Sequence, residues 1–555
     1  PQGPPGPQGP PGPQGPPGAD APGPADQTMR VLGINDFHGN LQPPTGSGGR
    51  IQVGPASTDT VNAGGAAYLA THVKRLEEGQ AHATFVGSGD LIGASPLISG
   101  LFHDEPTIEA LSLMGMDYAG VGNHEFDEGR EELIRMQYGG CHPEDGCQDG
   151  DPFLGAAFRY LAGNVRFTGT DRTILPPYLI RRAGDIPVAF IGITLEATPN
   201  IVTPEGVAGL RFDDEADTVN RLVRELSEGM GVEAFVVLIH EGGQQQPPFA
   251  NGFADINRCD NPTGDIFPIV DRLSAKVDAV LSAHTHQPYI CQRAGKTVTS
   301  AASFGRLITR LDLALNGRTR DVTSIDARNE IVTRDVPEDP QVKALVDRYA
   351  ALAVPVENRV VGRITATLSR TANAAGESAL GDVIADSQLA ATRAPERGGA
   401  VVAFMNPGGI RADLPFGGSG DVTYGSLYTV QPFANTLVVK TLTGAQIDAL
   451  LEQQFAVNRI LQVSEGFTYT YSRSAPVGSK VDPASIRING VVVDPAASYR
   501  VTMNSFLATG GDGFTVFAQG TDQLGGDVDI DAFEAYVAAN SPVAPGPQDR
   551  IVAVP

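Results

Sequence analysis

The chain has 555 residues, 41% hydrophobic and 19% charged, with a formal charge of −24. A single hydrophobic core does not extend over such a length, so we expect two or more domains. The acidic balance argues against a nucleic-acid polymer as partner, and the lack of an apolar run of roughly 18 residues argues against a transmembrane segment in this chain.

Residues 1–18 carry glycine at every third position with proline beside it, as in PQGPPG. Collagen strands show this pattern because only glycine fits at the axis of three polyproline II chains. The repeat is short for a trimer, so we favour an extended Pro/Gly-rich linker or stalk over residues 1–27. Because the sequence starts at Pro1 without a signal-peptide pattern, we expect a processed chain.

From residue 29 onward, short apolar runs alternate with helix-like stretches such as AAYLATHVKRLEEG and EADTVNRLVRELSEG. The runs are MRVLGIND, HATFVGSGD, YAGVGNHE, IPVAFIGIT, EAFVVLIH and VDAVLSAH. Continuous Val/Ile-rich runs between helices are typical of strands buried on both faces. We therefore predict an α/β layered domain over residues 28–335.

A helix is predicted at 338–353, and a hinge near Ala353 to Asn358 completes a connecting segment over residues 336–357. Beyond it, runs such as VVAFMNPGG and NTLVVKTLTG alternate with helix-like stretches. A second domain of mixed α/β type is therefore predicted over residues 358–555.

The cysteines at 141, 147, 259 and 291 form no C-x-x-C pair, which argues against a zinc knuckle. Three of them lie in or beside polar loops. Disulfides 141–147 and 259–291 would suit an exported protein, whereas four reduced thiols are the alternative. We favour the disulfides, and with them a secreted, periplasmic or cell-surface location.

Five apolar runs end in residues of a metal-ligating type, and ligands of layered α/β folds bind beyond the carboxyl ends of strands. These residues are Asp36, His38, Asp90, Asn123, His124, His240, His284 and His286. Each is weak evidence alone, but together they predict a site at one sheet edge for two divalent cations, zinc or manganese. Such a pair needs a shared carboxylate, and a hydroxide bridging the two metals would be the nucleophile.

The segment VGNHEFDEG (121–129) allows two interpretations. Asn123 and Asp127 cap a helix that begins there, or they belong to the metal site; we expect the capping to be partly true as well. Glu125 is given no part in the chemistry and is interpreted as a structural residue. The remaining histidines, at 72, 82, 103 and 142, fall on helix or loop segments without evident partners and are interpreted as surface residues.

The motifs NDFHGN (35–40), GD (89–90), GNHEFD (122–127), His240 and HTH (284–286) resemble the calcineurin-like metallophosphoesterases, and most closely the 5′-nucleotidase and UDP-sugar hydrolase family. The resemblance implies an N-terminal four-layer αββα domain, a connecting helix and a C-terminal mixed α/β nucleotide-binding domain. The family's GHTH is AHTH here, which leaves the ligands in place.

The resemblance also implies roles for these residues. One metal would be held by Asp36, His38, Asp90 and His286, and the other by Asp90, Asn123, His240 and His284. His124 would stabilise the transition state and protonate the leaving oxygen, while Asp127 would orient its ring.

In the second half, ESALGDVIADSQ and NPGGIR (406–411) resemble the family's C-terminal domain. The substrate-binding residues it implies are Asn406, Gly408, Gly409, Arg411, Phe433, Phe506 and Asp512. The two phenylalanines would stack on the base and Asp512 would bind the ribose; without the resemblance, core packing is the better interpretation of both rings. Family members carry further arginines where Gly376 and Asp382 stand here, and either Arg370 or Arg363 is a candidate substitute.

These features predict an extracellular hydrolase that releases phosphate from nucleoside 5′-monophosphates. The alternatives within the family are a 2′,3′-cyclic-nucleotide phosphodiesterase/3′-nucleotidase and a UDP-sugar or NAD pyrophosphatase. A non-catalytic surface binding protein with a collagen-like stalk is a third possibility, disfavoured because every expected ligand is present.

Overall fold

The computed structural model describes residue 3 and residues 25–202, 206–433 and 435–555. Nearly all of the collagen-like tract predicted at 1–27 lies outside the described residues. No helix within the described ranges is long and apolar enough to cross a membrane.

The first half contains two six-stranded mixed sheets with parallel centres; both edges of the second sheet are antiparallel, whereas the first sheet has one antiparallel and one parallel edge. The first sheet has the order Val322–Ile331, Leu307–Leu315, Gln27–Ile34, Ala83–Ser88, Tyr118–Gly120 and Arg159–Leu161. The second has the order Pro288–Arg293, Lys296–Ala301, Val277–Leu281, Ala234–His240, Ile186–Thr194 and Tyr178–Ala183. The predicted apolar runs form the central strands, whose residues are almost entirely buried.

The two sheets pack face to face through a shared apolar core that includes Val31, Val86, Val188, Val236 and Leu311. Helices cover the outer faces of both sheets. They are Ala66–Glu77, Leu97–Gly100, Glu105–Leu113 and Arg130–Tyr138 on the first side, and Glu215–Met230 and Ile266–Arg272 on the second. This is the four-layer αββα arrangement that the family resemblance implies.

A connecting helix spans Pro340–Glu357 and packs through Val342, Val346 and Tyr349 on the helices of the first sheet. It begins later than the predicted residue 338, because the Asp339 side chain accepts bonds from the first helical N–H groups and caps the helix there. It also continues past the predicted end at 353, through Pro355. The predicted boundaries at 335 and 358 remain predictions.

The second half has mixed sheets flanked by helices, as predicted. A five-stranded sheet has the order Gln462–Val463, Val402–Met405, Ser498–Asn504, Thr436–Thr443 and Thr521–Val528, and a four-stranded sheet has the order Val491–Val492, Arg487–Ile488, Phe467–Ser472 and Ile551–Val554. The helices are Ala379–Thr392, Tyr424–Val430, Gly444–Val457, Ser505–Ala508 and Asp529–Ala539.

Smaller elements occur in both halves. Two-stranded pairs are formed by Arg50–Gln52 with Thr60–Asn62, Val165–Phe167 with Leu210–Phe212, and Val360–Arg363 with Asp421–Thr423. Short 3-10 turns occur at Gly46–Gly49, His124–Phe126, Thr198–Asn200, Pro395–Arg397, Pro407–Gly409, Pro483–Ser485, Gly511–Gly513 and Phe517–Gln519.

Both predicted disulfides are present, Cys141–Cys147 and Cys259–Cys291. The first joins two cysteines that are six residues apart within a surface loop, and the second joins a loop to strand Pro288–Arg293. The alternative of four reduced thiols does not describe this structure.

Candidate functional site

The predicted metal ligands lie where the carboxyl ends of two sheets meet, rather than at the edge of one sheet. Three strands of the first sheet and two of the second contribute. The first set carries Asp36, His38, Asp90, Asn123 and His124, and the second carries His240, His284 and His286. The prediction of a single sheet edge is therefore wrong, although the residues still converge because the two sheets are stacked.

Asp36, His38 and His286 form one potential ligand group. His38 Nε2 lies 3.1 Å from His286 Nε2, and His286 Nε2 lies 3.4 Å from Asp36 Oδ1. Asp36 is fully buried, and its carboxylate also accepts bonds from the backbone N–H of His284. The three donor atoms thus face one another across a gap of ion size.

Asp90, His240 and His284 form a second potential ligand group. His240 Nε2 lies 3.0 Å from Asp90 Oδ2 and 3.1 Å from Asn123 Oδ1. Asp90 Oδ2 also lies 3.8 Å from His38 Nε2, which belongs to the first group. Asp90 is therefore the carboxylate that lies between the two groups.

Backbone contacts orient two of these rings. His38 Nδ1 donates to Gly93 O at 2.8 Å, and His240 Nδ1 donates to Ser88 O at 3.0 Å, so each Nε2 faces the gap. Burial lowers the pKa of His38 to about 3 and that of His284 to about 4. The rings of His38 and His284 are therefore neutral at physiological pH, and the neutral ring is the form that binds a metal.

The backbone is strained at the same residues. Asp36, His38, Asp90, His284 and His286 all have a positive φ, between 47° and 68°. This conformation costs non-glycine residues on the order of 1–3 kcal/mol each and concentrates at functional sites. The strain supports a functional role for the strand ends.

The donor set fits two divalent cations that accept imidazole nitrogen and carboxylate oxygen. It contains four imidazoles, two carboxylates and one amide oxygen, with one carboxylate placed to serve both ions. Zinc and manganese both accept these ligands, and the geometry does not favour one over the other.

His124 lies beside the two groups and forms a further potential ligand group with His38 and Asp90. Its Nδ1 donates to Asp127 Oδ2 at 2.6 Å, and its ring centroid lies 5.1 Å from that of His38. Burial disfavours the charged ring, but the charges of Asp127 and Asp90 outweigh burial and raise the pKa of His124 to about 10. Asp127 thus holds a protonated ring, whose Nε2–H is directed away from Asp127.

Glu125 has a structural role that the sequence did not reveal. Its buried carboxylate accepts bonds from the backbone N–H groups of Asp90, Leu91 and Gly122, at 2.9, 2.8 and 2.6 Å. It therefore ties together the two strand ends that carry Asp90 and Asn123. A Cβ at Gly122 would lie 2.2 Å from Asp90 Oδ1, so this close approach also requires glycine.

The capping interpretation of VGNHEFDEG is wrong for the side chains. A 3-10 turn spans His124–Phe126, and the following helix, Arg130–Tyr138, begins only after Gly129. Neither N-terminus has a side-chain cap, because Asn123 faces His240 and Asp127 bonds His124.

Two of the four histidines interpreted as surface residues without partners, His103 and His142, stack on each other and contact acidic side chains. His72 Nε2 donates to Thr333 O. The interpretation is wrong for these three, because the partners come from distant parts of the chain or from a turn.

In the second half, the predicted substrate-binding residues lie around one loop. Asn406 Nδ2 donates to Asp512 Oδ2 at 3.0 Å, and Gly408 lies beside both side chains. The Arg411 guanidinium lies 5.6 Å from the Phe433 ring centroid, and its Nη1 donates to Gly408 O. Five of the seven are thereby placed around the loop or at Gly511–Gly513.

Gly409 has a different explanation from ligand approach. It is buried, and a Cβ there would lie 2.5 Å from Met405 Cε. Packing alone therefore accounts for glycine at 409, whereas Gly408 faces outward.

Phe433 and Phe506 are exposed, at 40% and 45% of their surface. Phe506 lies against the segment that carries Asp512, since a Cβ at Gly511 would be 2.6 Å from its ring. The core-packing alternative is therefore wrong for both rings, because large aromatic side chains with this exposure are not packed.

The two positions without the expected arginines face the protein interior. Gly376 packs on Ile460, and Asp382 is buried beside Glu377 and Arg550, with burial raising the pKa of Asp382 to about 8. The two candidate substitutes differ in position. Arg370 Nη1 donates to Ile410 O in the 406–411 loop, whereas Arg363 pairs with Asp421.

The two halves meet close to the strand ends. Tyr428 Oη, from helix Tyr424–Val430, donates to Ser95 O at 2.9 Å. Ser95 follows Gly93, whose carbonyl accepts the bond from His38. The second half of the chain therefore contacts the loop that orients a predicted metal ligand.

A family model described as calcineurin-like phosphoesterase matches residues 29–288, and one described as 5′-nucleotidase, C-terminal domain, matches residues 360–519. An endonuclease of Bacillus subtilis is 31% identical over 532 residues, covering 94% of this chain. The chain spans only 41% of that relative's length. A cell wall protein of Listeria monocytogenes is 32% identical over 92% of this chain and 67% of its own length. The solved 5′-nucleotidase precursor of Thermus thermophilus is 25% identical, with a TM-score of 0.58 over 95% of this chain and 99% of that one.

Proposed function

Because the chain belongs to the 5′-nucleotidase family, with a calcineurin-like phosphoesterase domain ahead of the family's C-terminal domain, we propose that it hydrolyses nucleoside 5′-monophosphates to nucleoside and phosphate. The observation that carries this proposal is the pairing of two facing ligand groups in one half with two exposed phenylalanines beside a polar loop in the other. The first suits phosphate ester chemistry and the second suits a nucleoside.

Asp36, His38, Asp90 and His286 would hold one metal ion, and Asp90, Asn123, His240 and His284 the other. Bound divalent ions supply Lewis acidity for the phosphoryl oxygens and acidify water at neutral pH. The chain contributes the spacing of the donors, and Gly93 O and Ser88 O keep His38 and His240 turned toward them.

His124 would donate the proton that the leaving ribose oxygen needs. Asp127 and Asp90 raise the pKa of the His124 ring, which favours its protonated form, and Asp127 keeps Nδ1 occupied, so Nε2–H would be the proton available for transfer. The same positive charge would stabilise negative charge that develops on the phosphoryl group.

The nucleoside would bind between the exposed rings of Phe433 and Phe506, with Asp512 accepting bonds from the ribose hydroxyls. Arg411 and Arg370, on either side of Ile410, would contact the phosphate as it reaches the metals. Arg363 is not assigned to the site because it pairs with Asp421 on a separate strand pair.

Phe506→Ala and Phe433→Ala are each expected to reduce kcat/KM for AMP roughly 5- to 100-fold, mainly through KM. Base–aromatic stacking contributes about 1–3 kcal/mol, which sets this range. The measurement is phosphate release from AMP over a range of substrate concentrations.

Phe506→Tyr is the matched control, since it keeps the ring and is expected to retain kcat/KM within a few-fold. Hydrolysis of p-nitrophenyl phosphate, which has no base, should be unchanged in all three variants. Equal losses on AMP and p-nitrophenyl phosphate would mean that the rings do not bind the nucleoside.

We also propose that the protein is exported and works by domain rotation. Two disulfides and a cell wall relative support export.

The second of these proposals is a rotation of the two halves near Ala353 to Asn358. This rotation would carry the nucleotide from the 406–411 loop to the metals, and the Tyr428–Ser95 contact would change as the halves move.

A further inference from the structure

A second cluster of ligating side chains lies outside the dinuclear site, around the loop closed by Cys141–Cys147. His103 Nε2 lies 2.9 Å from Asp145 Oδ2, and His142 Nδ1 lies 3.7 Å from the same oxygen. The His103 and His142 rings stack with their centroids 3.7 Å apart. The donor atoms of the three side chains all lie within 4.8 Å of one another.

These spacings match those of the dinuclear site in the same structure. There, the donor pairs within one ligand group are 3.0 to 4.0 Å apart. Two ligand atoms of a tetrahedral zinc site lie about 3.3 Å apart. This value falls within the range of donor–donor distances in the cluster and in the dinuclear site. The cluster is therefore as closely spaced for one ion as the groups that the family resemblance assigns to metals.

His103 already has the outer partner that metal-binding histidines use. Its Nδ1 donates to Glu128 Oε2 at 2.6 Å, which leaves Nε2 directed at Asp145. A carboxylate in this position fixes the ring and increases its basicity toward a metal. Glu132 is not available to an ion, because it pairs with Arg135.

The loop presents two of the three ligands from a closed frame. His142 and Gly146 exchange both backbone hydrogen bonds directly inside the Cys141–Cys147 disulfide, and Asp145 lies within this turn. The side chain of His103 faces the loop, and the His103 backbone has φ 52°, which is a strained conformation for a non-glycine residue. Little chain entropy remains to be lost when an ion binds.

We propose that His103, His142 and Asp145 form a third metal site, separate from the dinuclear centre and selective for zinc or a cation with the same preference for imidazole. Two imidazoles and one carboxylate, with water in the remaining position, are a ligand set that zinc accepts. The bound ion would link the disulfide loop to the turn at residue 103, and the bond from His103 to Glu128 would fix that turn.

Binding replaces a proton with the metal. In this structure Glu128 and Asp145 flank the two ring nitrogens of His103. When zinc binds Nε2, any proton on that nitrogen passes to solvent, and the freed lone pair forms the metal bond. His142 Nδ1 gives up a 3.2 Å bond from the Asp145 N–H, and one stacked ring turns about its side-chain torsion.

The test is zinc content per chain after equilibrium dialysis of the full-length protein against micromolar zinc, measured by atomic emission. The wild type should bind one equivalent more than either His142→Ala or Asp145→Asn. Asp145→Asn keeps the size of a half-exposed side chain, so it guards against a loss of folding in the histidine variant.

His82→Ala is the matched control, since it removes a histidine outside the cluster and should keep the wild-type zinc content. Phosphate release by His142→Ala and Asp145→Asn should stay within about two-fold of wild type. Equal zinc content in wild type and both variants would overturn the proposal, and so would a loss of zinc accompanied by loss of phosphate release, because that ion would belong to the dinuclear centre. The zinc difference between variants is readable even if the proposed nucleotidase activity is absent.

Discussion

Asp90→Asn is expected to remove both ions of the dinuclear centre and to lower kcat for phosphate release from AMP by roughly a thousand-fold or more. Asp90 Oδ2 lies near His240 in one ligand group and near His38 in the other, so its loss weakens both. Bound divalent ions would lower the pKa of the attacking water, so without them little hydroxide is available at neutral pH. Metal content and kcat are measured on the same samples.

Asp36→Asn is the matched comparison because the Asp36 carboxylate lies beside the ring nitrogens of His286 and His38, which both belong to the first ligand group. It is expected to reduce the metal content by one ion per chain, whereas Asp90→Asn reduces it by two. If Asp90→Asn keeps both ions, Asp90 does not bridge them and the assignment of the shared carboxylate is wrong.

His124→Ala is expected to lower kcat for AMP by about 10²- to 10⁴-fold while the metal content stays at the wild-type level. This is the range that a positioned imidazole contributes in general acid–base catalysis. The His124 ring bonds Asp127, and its centroid lies 5.1 Å from that of His38. His124 is not one of the proposed metal ligands, so its removal should leave both ligand groups in place.

The leaving group separates the two roles of His124. p-Nitrophenolate leaves without a proton, so the loss on p-nitrophenyl phosphate should be much smaller than the loss on AMP if His124 is the proton donor. His72→Ala, which removes a histidine bonded to Thr333 O far from the site, should leave both rates unchanged. Wild-type rates in His124→Ala would rule out any catalytic role for this ring.

The strand framework was predictable because each central strand is buried on both faces and reads as a continuous apolar run. IPVAFIGIT and EAFVVLIH correspond to Ile186–Thr194 and Ala234–His240, and every residue in both strands is buried. The ligand positions followed from the same feature, since a polar residue immediately after such a run lies at the carboxyl end of a strand.

The division of the ligands between two sheets was not predictable in the same way. Sheet membership depends on pairing over long separations, as when Leu307–Leu315 pairs with Gln27–Ile34 inside the first sheet. The sequence of an apolar run does not show which sheet the strand joins. The strand ends of two stacked sheets were therefore predicted to form one edge.

Glu125 and His103 were missed because their partners are backbone atoms or distant side chains. Glu125 binds N–H groups at residues 90 and 91, and His103 meets Asp145 across a disulfide loop. Neither contact follows from local spacing. The exposure of Phe433 and Phe506 was likewise opposite to what residue type alone suggests. The sequence named both Arg370 and Arg363 as candidates, and only the bond from Arg370 to Ile410 O separates them.

The most direct test of the proposed function is a substrate panel with the purified protein, first stripped of metal and then loaded with zinc or manganese. Phosphate release is compared for AMP, UMP, 2′,3′-cyclic AMP, UDP-glucose and NAD. We expect the stripped protein to be inactive and the loaded protein to show its highest kcat/KM on AMP and UMP. A preference for the cyclic nucleotide, UDP-glucose or NAD would favour the other activities of the family, and a metal-loaded protein that hydrolyses none of them would contradict the proposed enzymatic function.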